Sequence, residues 1–363
     1  EHNNGSGNAL LTKLLEYLNA VHFGHHNVKD DSVIIFTKTV VKSILSVKNC
    51  IDRINAGIQQ PVTNFEIIKE TPTTAVVDGH HGMGQVIGYK AMSMAIAKAK
   101  EYGMGMVTVR NSTHYGIAGY YTTMATKAGC IGMTGTNARP SVAPTHGVEG
   151  MFGTNPFTIG VPTDEAFDFN FDCATSITQN GKVEYYERIG EDVHPGTIID
   201  IEGNAVEGDA GVALRKIRGG TAALTTLGGI GEDLGGYKGY GFALAVEFFS
   251  SILQDGAYGK DLDGKDENGN IRPYQLGHFF VAIDTEHFMG EEIARKKAGD
   301  ICRSMRASKK APGAERIYTA GEKEYEIRLA RESGVPINES VQKEIIAVRD
   351  ELGLTQYKFP WEE

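Results

Sequence analysis

The chain has 363 residues, a length that suits about two structural regions or one large α/β unit with a helical appendage. Hydrophobic residues make up 41% and charged residues 23%, values that are usual for globular proteins and exclude a disordered or fibrous chain. The net charge is −10, and this balance repels phosphate backbones and anionic lipids, so nucleic acid and membrane surfaces are poor partners.

Cysteine spacing and the N-terminal sequence bear on the compartment. The first residues, EHNNGSGN, lack the basic-then-apolar order of a signal peptide, and part of them resembles a tag or linker. No apolar run approaches the ~18 residues needed to cross a bilayer. The widely spaced cysteines form no CxxC motif, which argues against a structural zinc site and a disulfide framework. They are Cys50, Cys130, Cys173 and Cys302. A reducing, cytoplasmic compartment is therefore expected.

The beginning of the chain has a helical pattern. Apolar residues recur at helical spacing over residues 8–21, and a second apolar stretch covers residues 32–41. The segment CIDRINAGI is typical of a helix that ends at Gly57, and Pro61 prevents its continuation. We predict a helical N-terminal region over residues 1–72 that packs with C-terminal helices over 310–363.

From residue 73 the pattern changes to α/β alternation, which predicts an α/β domain over residues 73–309 for cofactor and substrate binding. The predicted strands are 74–79, 105–111, 131–137, 157–162, 167–172 and 278–284. The predicted helices are 84–103, 116–129, 239–253 and 291–305, with a C-terminal one over 341–352. Residues 189–233 are rich in glycine and acidic residues and are expected to be loops that shape a site. A mixed or parallel sheet covered by helices is the expected core.

A histidine lies in a turn after one predicted strand. In α/β sheets, ligands bind beyond the carboxyl ends of strands, where the chain turns toward a helix. His114 lies between a strand that ends at Val109 and a helix that starts near Gly116. An imidazole there can exchange protons with a bound substrate, so His114 is the best acid/base candidate. The alternative is that His114 only bonds loop backbone.

The segments TGTNARPSVAP and GTNPFTIG lie at the ends of the next strands. Asparagine and threonine at strand ends can bond a carboxamide or a ribose, and Arg139 could clamp a carboxylate with two parallel bonds. Turn formation explains Asn137 and Asn155 equally well. Arg110 and Lys182 are secondary candidates for the carboxylate.

Two further segments suit a nucleotide. After Asp172, the small residues of CATS would let a flat ring approach the backbone, although Asp172 could instead cap a helix. Nothing near Cys173 in sequence marks it as an activated nucleophile. In LGGYKGYGF, glycines bracket Lys238 before a long apolar helix, so its ammonium could reach a phosphate or carboxylate, or lie exposed in a loop.

Two other features carry little weight. A usable GxGxxG dinucleotide motif after the first strands is absent. The pairs His25-His26 and His80-His81 lack the spacing of metal motifs and are expected to be structural or surface histidines.

Several segments together resemble the malate/L-lactate dehydrogenase family, which also includes sulfolactate, ureidoglycolate and diketogulonate enzymes. The resemblance runs from about Ile51 to Leu354 in the family's order. The motifs are VDGHHGMGQVIGYKAM, VRNSTHYGIAGYY, GTNARPSVAP, GTNPF, FDCATS, GYKGYGFALAVE and AGEKEYEIRLARESGVPI. It implies an α/β/α fold distinct from Rossmann domains, with a mixed seven-stranded sheet, a helical region, and a homodimer that buries the active site between subunits.

The resemblance also implies site residues and a cofactor, NAD or NADP. His114 matches a family histidine assigned as proton acceptor in some members, and Ala138 matches a position near the nicotinamide. The remaining cofactor contacts that match are Asp172, Cys173, Ala174, Lys238, Gly321, Glu322 and Lys323.

One departure from the family pattern concerns catalysis. Members carry a DSHG-type motif whose histidine is the acid/base in other members, followed by an arginine that binds the substrate carboxylate. Here the chain passes directly from Ser43 to Ile44 without it, and Ser46 stands where the arginine is expected. A segment of the family pattern is thus missing at this point.

The predicted activity is NAD(P)-dependent dehydrogenation of a 2-hydroxyacid, with malate and oxaloacetate as the preferred pair because the motifs are most like those of the family's malate dehydrogenases. The alternative is another 2-oxoacid reductase of the family, one whose hydroxyacid is lactate, sulfolactate or ureidoglycolate. Two other classes stay open: a metal-dependent hydrolase that uses the histidine pairs, and a non-catalytic binding protein on the same fold.

Overall fold

The computed structural model describes residues 53–54, 56–334, 336–337, 339–351, 353–354 and 356–362. Several features predicted from sequence lie outside these residues, namely the helix over 8–21, the apolar stretch over 32–41, His25-His26, Cys50 and the Ser43–Ile44 junction. The chain divides into two compact units, Gly57–Lys323 and a second one formed by Glu324–Glu363 with Glu1–Ala56. The expected packing of N-terminal against C-terminal helices stays a prediction.

The first unit contains a central sheet and two small two-stranded sheets. The strands of the central sheet are β1 (Glu66–Glu70), β2 (Thr74–Asp78), β3 (Met104–Ser112), β4 (Cys130–Thr136), β5 (Phe157–Val161), β6 (Phe169–Cys173) and β11 (Leu276–Asp284). The small sheets pair β7 (Asp192–Val193) with β9 (Gly208–Asp209) and β8 (Ile198–Asp200) with β10 (Ala222–Leu224).

Five helices correspond to the predicted ones, whereas those over 180–189, 210–218 and 322–330 were not predicted. In chain order the helices are α1 (Gly84–Tyr102), α2 (Gly119–Lys127), α3 (Asn180–Ile189), α4 (Ala210–Arg218), α5 (Gly236–Phe249) and α6 (Glu291–Arg306). Near the C-terminus follow α7 (Glu322–Ala330) and α8 (Glu339–Glu351). Short 3-10 turns cover Gly259–Leu262, Thr285–His287 and Pro360–Glu362. Among the described residues, no helix is both long and apolar enough for a membrane span.

The central sheet has seven strands in the order β1-β2-β3-β11-β4-β5-β6. Only β2 and β3 pair in parallel, and the other neighbours are antiparallel. The predicted mixed seven-stranded sheet is therefore confirmed. β11 comes from far along the chain and lies between β3 and β4, so the two strands that precede the His114 and Arg139 loops are separated by one strand.

Helices cover both faces of this sheet. Successive side chains of a strand point to opposite faces, and Phe279 and Phe280 of β11 show which helix lies on each side. The Phe280 ring packs against Tyr121 of α2 at 5.4 Å, whereas the Phe279 ring lies 5.2 Å from Phe249 of α5. This gives the three-layer α/β/α arrangement that the family resemblance implies.

The α1 helix packs closely on the sheet because its inner face carries small residues. Ala91, Ala95 and Ala99 recur every four residues and are fully buried. The helix ends at Gly103, which adopts φ +87° and donates its backbone N–H to the Ala99 carbonyl. A left-handed residue at this point favours glycine and turns the chain directly into β3.

Two sequence expectations differ from the structure. Residues 189–233 were expected to be loops, but the amphipathic segment 210–218 forms α4, which begins at the Asp209 cap and buries Leu214. This part forms a small hydrophobic core of its own with Val183, Ile198 and Leu224. In addition, β1 falls within the region expected to be helical, and its pairing with β2 makes it the outer strand of the central sheet.

The second unit has a separate small core. Ile345 of α8 is buried with Leu354 and Phe359, and the Phe359 ring stacks on Trp361 at 4.9 Å. Arg349 binds the Glu362 carboxylate at 2.6 Å and so ties the last turn to this helix.

Candidate active site

One edge of the central sheet gathers most of the predicted site residues. The carboxyl ends of β2, β3, β4 and β6 meet at this edge, together with the first residues of β5 and β11. His114 follows β3 by two residues, Arg139 follows β4 by three, and Ala174 directly follows β6. Because adjacent strands lie about 4.8 Å apart, the ends of β3 and β4 are about 10 Å from each other.

His114 lies in the loop between β3 and α2, as the sequence predicts. Its side chain is exposed, and its Nδ1 accepts the backbone N–H of Gly116 at 3.1 Å. In the neutral ring this bond selects the tautomer with the hydrogen on Nε2. The expected contact of His114 with the loop backbone is thus present, and the ring is exposed beyond the end of β3.

A second histidine holds this loop in place. His278 of β11 is fully buried, with Nδ1 2.7 Å from Thr136 Oγ1 and Nε2 3.2 Å from the Thr113 carbonyl. It thus joins the residue before His114 to the last residue of β4. Burial lowers the pKa of His278 to about 3, so the ring is neutral at physiological pH.

The Tyr115 ring stacks on the His278 ring. Its centroid is 4.5 Å from that of His278, and the two rings are nearly parallel. The backbone on either side of His114 is therefore held, by the His278 ring at Thr113 and by aromatic stacking at Tyr115.

The ends of β2 and β3 are joined by Asp78. Its carboxylate accepts the Arg110 Nε at 2.9 Å and the Asn111 Nδ2 at 2.8 Å. Burial opposes ionisation of Asp78, but hydrogen bonds from the His80 backbone, Arg110 and Asn111 outweigh it, so its pKa is lowered. Arg110 is thereby engaged in a structural ion pair, which weakens its candidacy as a carboxylate ligand.

The histidine pair His80-His81 adopts a strained backbone. Both residues have positive φ, +47° and +59°, a region that disfavours side chains other than glycine. His80 Nε2 lies 2.6 Å from Glu66, and His81 Nδ1 lies 2.8 Å from the Tyr274 carbonyl. The described residues contain no group of three His, Cys, Asp or Glu side chains arranged to hold a metal ion.

Ala138 and Arg139 follow β4 in a loop fixed by two asparagines. Asn137 accepts the Gly277 N–H at 2.8 Å and donates to the Ala257 carbonyl, whereas Asn155 Oδ1 accepts the Ala138 N–H at 3.2 Å. Both asparagines therefore shape the loop. The Arg139 side chain is exposed, and its guanidinium lies 5.5 Å from the Tyr274 ring centroid.

The DCATS turn lies at the end of β6. Asp172 Oδ2 accepts the Gly119 N–H at 2.7 Å and Oδ1 accepts Thr158 Oγ1 at 2.9 Å, so this carboxylate caps the first turn of α2. Burial, with a smaller effect of the Asp172 charge, raises the pKa of the Cys173 thiol and does not favour a nucleophilic thiolate. Cys173 and Ala174 are partly exposed, as a surface that a ligand contacts must be.

Lys238 lies in the first turn of α5, close to this turn. The Thr175 carbonyl accepts the Leu227 N–H at 2.9 Å, and a Cβ on Gly239 would overlap the Leu227 backbone. The glycine at 239 therefore allows α5 to begin beside the DCATS turn. The Lys238 ammonium is exposed and lies 5.7 Å from the Tyr237 ring centroid.

The GEKE segment lies beside the first residues of β6. The Ala320 carbonyl accepts the Asn170 N–H at 3.2 Å, and Gly321, with φ +93°, would bring a Cβ within 2.8 Å of the Asp168 carbonyl. Glu322 is buried, forms an ion pair with Arg316 and accepts the Thr319 N–H at 3.0 Å. Its carboxylate is thus engaged within the chain, whereas the Lys323 side chain is exposed above the Tyr318 ring.

Two features lie apart from His114. The Lys182 ammonium in α3 lies 4.6 Å from the Tyr186 ring centroid of the same helix. A pocket of about 190 Å³ is lined mainly by loops 143–148 and 225–231 and contains none of the predicted site residues. It adjoins the start of α5, since its lining residue Thr226 donates to the Gly236 carbonyl at 2.8 Å.

Sequence analysis missed two residues that support the site, His278 and Glu247. His278 begins the predicted strand HFFVAID, and its position in an apolar run was a signal that the sequence reasoning did not use. Glu247 also carried a signal, because it is a lone carboxylate in the apolar run FALAVEFF. It is 5% exposed and bonds Asn155 Nδ2 at 2.6 Å and the Gly259 N–H at 2.9 Å. Burial raises its pKa, and hydrogen bonds from Gly259, Asn155 and Asn137 offset only part of this effect.

Comparison with known proteins places this arrangement in a family. The sequence pattern of the malate/L-lactate dehydrogenase family matches residues 43–346. Malate dehydrogenase of Pyrococcus horikoshii is 41% identical over 310 residues, 85% of this chain and 82% of the relative. L-sulfolactate dehydrogenase of Methanocaldococcus jannaschii is 35% identical over 84% of this chain and 83% of its own length.

Solved structures agree with the sequence relatives. The crystal structure of malate dehydrogenase from Entamoeba histolytica superimposes with a TM-score of 0.80 at 44% identity, covering 85% of this chain and 84% of that one. The resemblance stated from the motifs alone is thus confirmed. The chain belongs to the malate/L-lactate dehydrogenase family and is an oxidoreductase.

Proposed function

We propose that this protein is an NAD(P)-dependent malate dehydrogenase, which interconverts malate and oxaloacetate with His114 as general acid and base. The observation that carries the proposal is the convergence at one sheet edge of His114, the Arg139 loop and the DCATS turn. Identity to malate dehydrogenases supports oxaloacetate over the other 2-oxoacids of the family.

The residues at this edge fit a dinucleotide. Close approach of a flat ring to backbone requires small residues, and Ala138 and Ala174 are small and partly exposed. Lys238 supplies a cation at the first turn of α5, where backbone N–H groups also favour an anion such as a diphosphate. Ala138, Cys173, Ala174, Lys238, Gly321 and Lys323 would hold the cofactor, and Asp172 and Glu322, whose carboxylates bond within the chain, would support this surface. When bound, the reduced nicotinamide supplies a hydride to the carbonyl carbon.

His114 and Arg139 have distinct roles in this proposal. Negative charge grows on the carbonyl oxygen during reduction, and the doubly protonated ring of His114 donates a proton to that oxygen and becomes neutral; in the reverse direction the neutral ring accepts the hydroxyl proton. Arg139 binds a carboxylate of the dicarboxylic acid in a bidentate pair. Asp172 supports the cofactor surface indirectly, since both of its oxygens already bond residues of the chain.

We further propose a homodimer in a reducing, cytoplasmic compartment. A cluster of apolar side chains on and after α5 supports self-association, because large exposed apolar patches mark interaction surfaces. It comprises Tyr237, Phe242, Phe248, Phe249, Ile252 and Leu253, each 48–68% exposed. The described cysteines, Cys130, Cys173 and Cys302, are all free thiols, which suits a reducing environment.

The test is turnover of a panel of 2-oxoacids with NADH and NADPH, followed by the loss of nicotinamide absorbance. We expect oxaloacetate to be reduced with the highest kcat/KM. His114→Gln should lower kcat by about 10²- to 10⁴-fold, the usual contribution of general acid catalysis, with little change in dinucleotide affinity.

The matched control is His287→Gln, a histidine after the opposite end of β11. This variant should keep wild-type kcat. Absence of turnover with every oxoacid and both cofactors would reject the enzyme, and full turnover by His114→Gln would place the proton donor elsewhere in the chain.

A further inference from the structure

Glu247 is a buried carboxylate whose partners are all hydrogen-bond donors. Its Oε1 accepts the Gly259 N–H at 2.9 Å, and its Oε2 accepts Asn155 Nδ2 at 2.6 Å, with the Asn137 amide as a third donor. It lies in the apolar part of α5, on the side of the sheet opposite to α2. Nothing in the proposed chemistry requires this group to touch the substrate or the cofactor.

Asn155 links this carboxylate to the site. The residue is fully buried two positions before β5, and its Nδ2 donates to Glu247 and, at 3.2 Å, to the Ala243 carbonyl. Its Oδ1 accepts the Ala138 N–H at 3.2 Å. The amide thus has its donor end toward α5 and its acceptor end toward the loop that carries Ala138 and Arg139.

The orientation of this amide depends on the chemistry of its partner. An ionised carboxylate only accepts hydrogen bonds, so it selects the orientation in which Nδ2 of Asn155 faces it. The opposite orientation would bring two acceptors together at Glu247 and two donors together at Ala138. Since a buried donor or acceptor that loses its partner is strongly penalised, a single amide orientation is favoured.

We propose that Glu247 is a positioning residue for the reaction: it fixes the Asn155 amide and thereby the backbone of Ala138 and Arg139 beside the nicotinamide and the substrate carboxylate. This deepens the proposed function and rests on it. Misplacement of a reacting group by about 1 Å can cost about 10²-fold in rate, so this distant carboxylate acts on kcat through the loop.

The test is a reciprocal exchange of the two side chains. Glu247→Gln keeps the shape but introduces an NH2 group, which opposes either Asn155 Nδ2 or the Gly259 N–H. If the Asn155 amide rotates so that its oxygen accepts the glutamine NH2, its Nδ2 then faces the Ala138 N–H and that bond is lost. At least one buried hydrogen bond is therefore lost in either orientation of the Asn155 amide. In the double variant Asn155→Asp with Glu247→Gln, the glutamine NH2 can donate to one oxygen of the new aspartate, while the other oxygen of that aspartate accepts the Ala138 N–H.

We expect Glu247→Gln to lower kcat by about 10- to 100-fold while NADH affinity, measured by fluorescence titration, changes less than about threefold. Asn155→Asp alone places two carboxylates together and should be more damaging. The double variant should recover at least about tenfold in kcat over either single variant, a coupling that independent structural losses would not give. Amide hydrogen exchange of residues 134–140 should be faster in Glu247→Gln and slower again in the double variant.

The control is Glu291→Gln, a carboxylate of α6 in a partly buried ion pair with Arg295 at 2.7 Å, away from the proposed site residues. It should lose stability without a change in kcat.

Asn155→Leu, which removes both polar atoms of the amide, gives a second route to the same loss of kcat if Glu247→Gln does not fold. Wild-type kcat in either variant, or a double variant no better than Glu247→Gln, overturns the proposal. The hydrogen-exchange result does not require turnover, so failure of the proposed activity is distinguished from failure of this coupling.

Discussion

His278 shows how the environment of one residue decides its chemistry. The side chain is fully buried, stacks on Tyr115 and bonds Thr136 and the Thr113 carbonyl. Each contact suits a neutral ring, and burial penalises the charged form. His278 is thus a structural anchor, whereas His114, one residue beyond Thr113, is exposed to solvent.

This difference predicts how stability depends on pH. The pKa of His278 falls from 6.5 to about 3 on folding, so the unfolded chain binds a proton below pH 6.5 that the native state rejects until about pH 3. Stability from this residue is therefore present above pH 6.5 and is lost as the pH falls, by up to about 1.4 kcal/mol per pH unit.

Urea unfolding of wild type and His278→Gln between about pH 7 and pH 4 measures the effect. The variant should be less stable at neutral pH, and the gap should narrow as the pH falls. Parallel stability profiles for the two proteins would mean that His278 is not neutral in the native state.

At the scale of elements, the contact between the start of α1 and the His114 loop is unusually close. A Cβ on Gly84 would overlap the Thr113 carbonyl oxygen and lie 2.7 Å from that of His114. The Thr113 hydroxyl also accepts the Gly84 N–H at 3.0 Å and donates to the Gly82 carbonyl at 2.9 Å. The first turn of α1 thus determines the backbone path just before and at His114.

Gly84→Ala should therefore reduce both stability and catalysis. Overpacking of a close contact costs about 1–3 kcal/mol, and displacement of the His114 backbone should lower kcat. Gly181→Ala is the matched control, since this glycine lies in the first turn of α3 and has nothing within 4 Å of the added Cβ. It should be neutral or stabilising by up to about 1 kcal/mol.

Thermal unfolding and steady-state kinetics of both alanine variants provide the comparison. An unchanged kcat in a folded Gly84→Ala protein would show that the His114 loop tolerates displacement.

At the scale of the whole molecule, the α5 surface is the notable feature. Phe242 is 62% exposed and Ile252 68%, on a segment whose inner side bears the Glu247 and Asn155 contacts. A second copy that covers this surface would also hold α5 against the site. The proposed dimer would in this way couple assembly to the position of Lys238.

Phe242→Glu should shift the protein from dimer to monomer, because a buried unpaired charge destabilises an apolar interface. Ile301→Glu, at a similarly exposed apolar position of α6, should leave the association unchanged. Sedimentation velocity at several protein concentrations distinguishes these outcomes. A monomeric wild type, or a dimer that persists in Phe242→Glu, would contradict assembly through this surface.

The sequence by itself determined six of the seven strands of the central sheet, the family and the turns that carry His114, Arg139, Asp172 and Lys238. These are local properties: alternation within a strand, helical spacing and motif identity are present in short stretches of chain. Even the error over residues 210–218 was local, since glycine-rich flanks concealed the amphipathic pattern of α4.

Only the tertiary structure decided which of these turns meet. Strand order depends on hydrogen bonds between segments far apart in the chain, so the insertion of β11 between β3 and β4 is not encoded in any single window. The same holds for the partners of buried polar groups: Asn155 and Glu247 are 92 residues apart and meet only when the chain packs. Burial then set the pKa of His278 and the orientation of the Asn155 amide. A buried polar group has no water to bind, so its protonation state and its orientation depend on the protein groups around it.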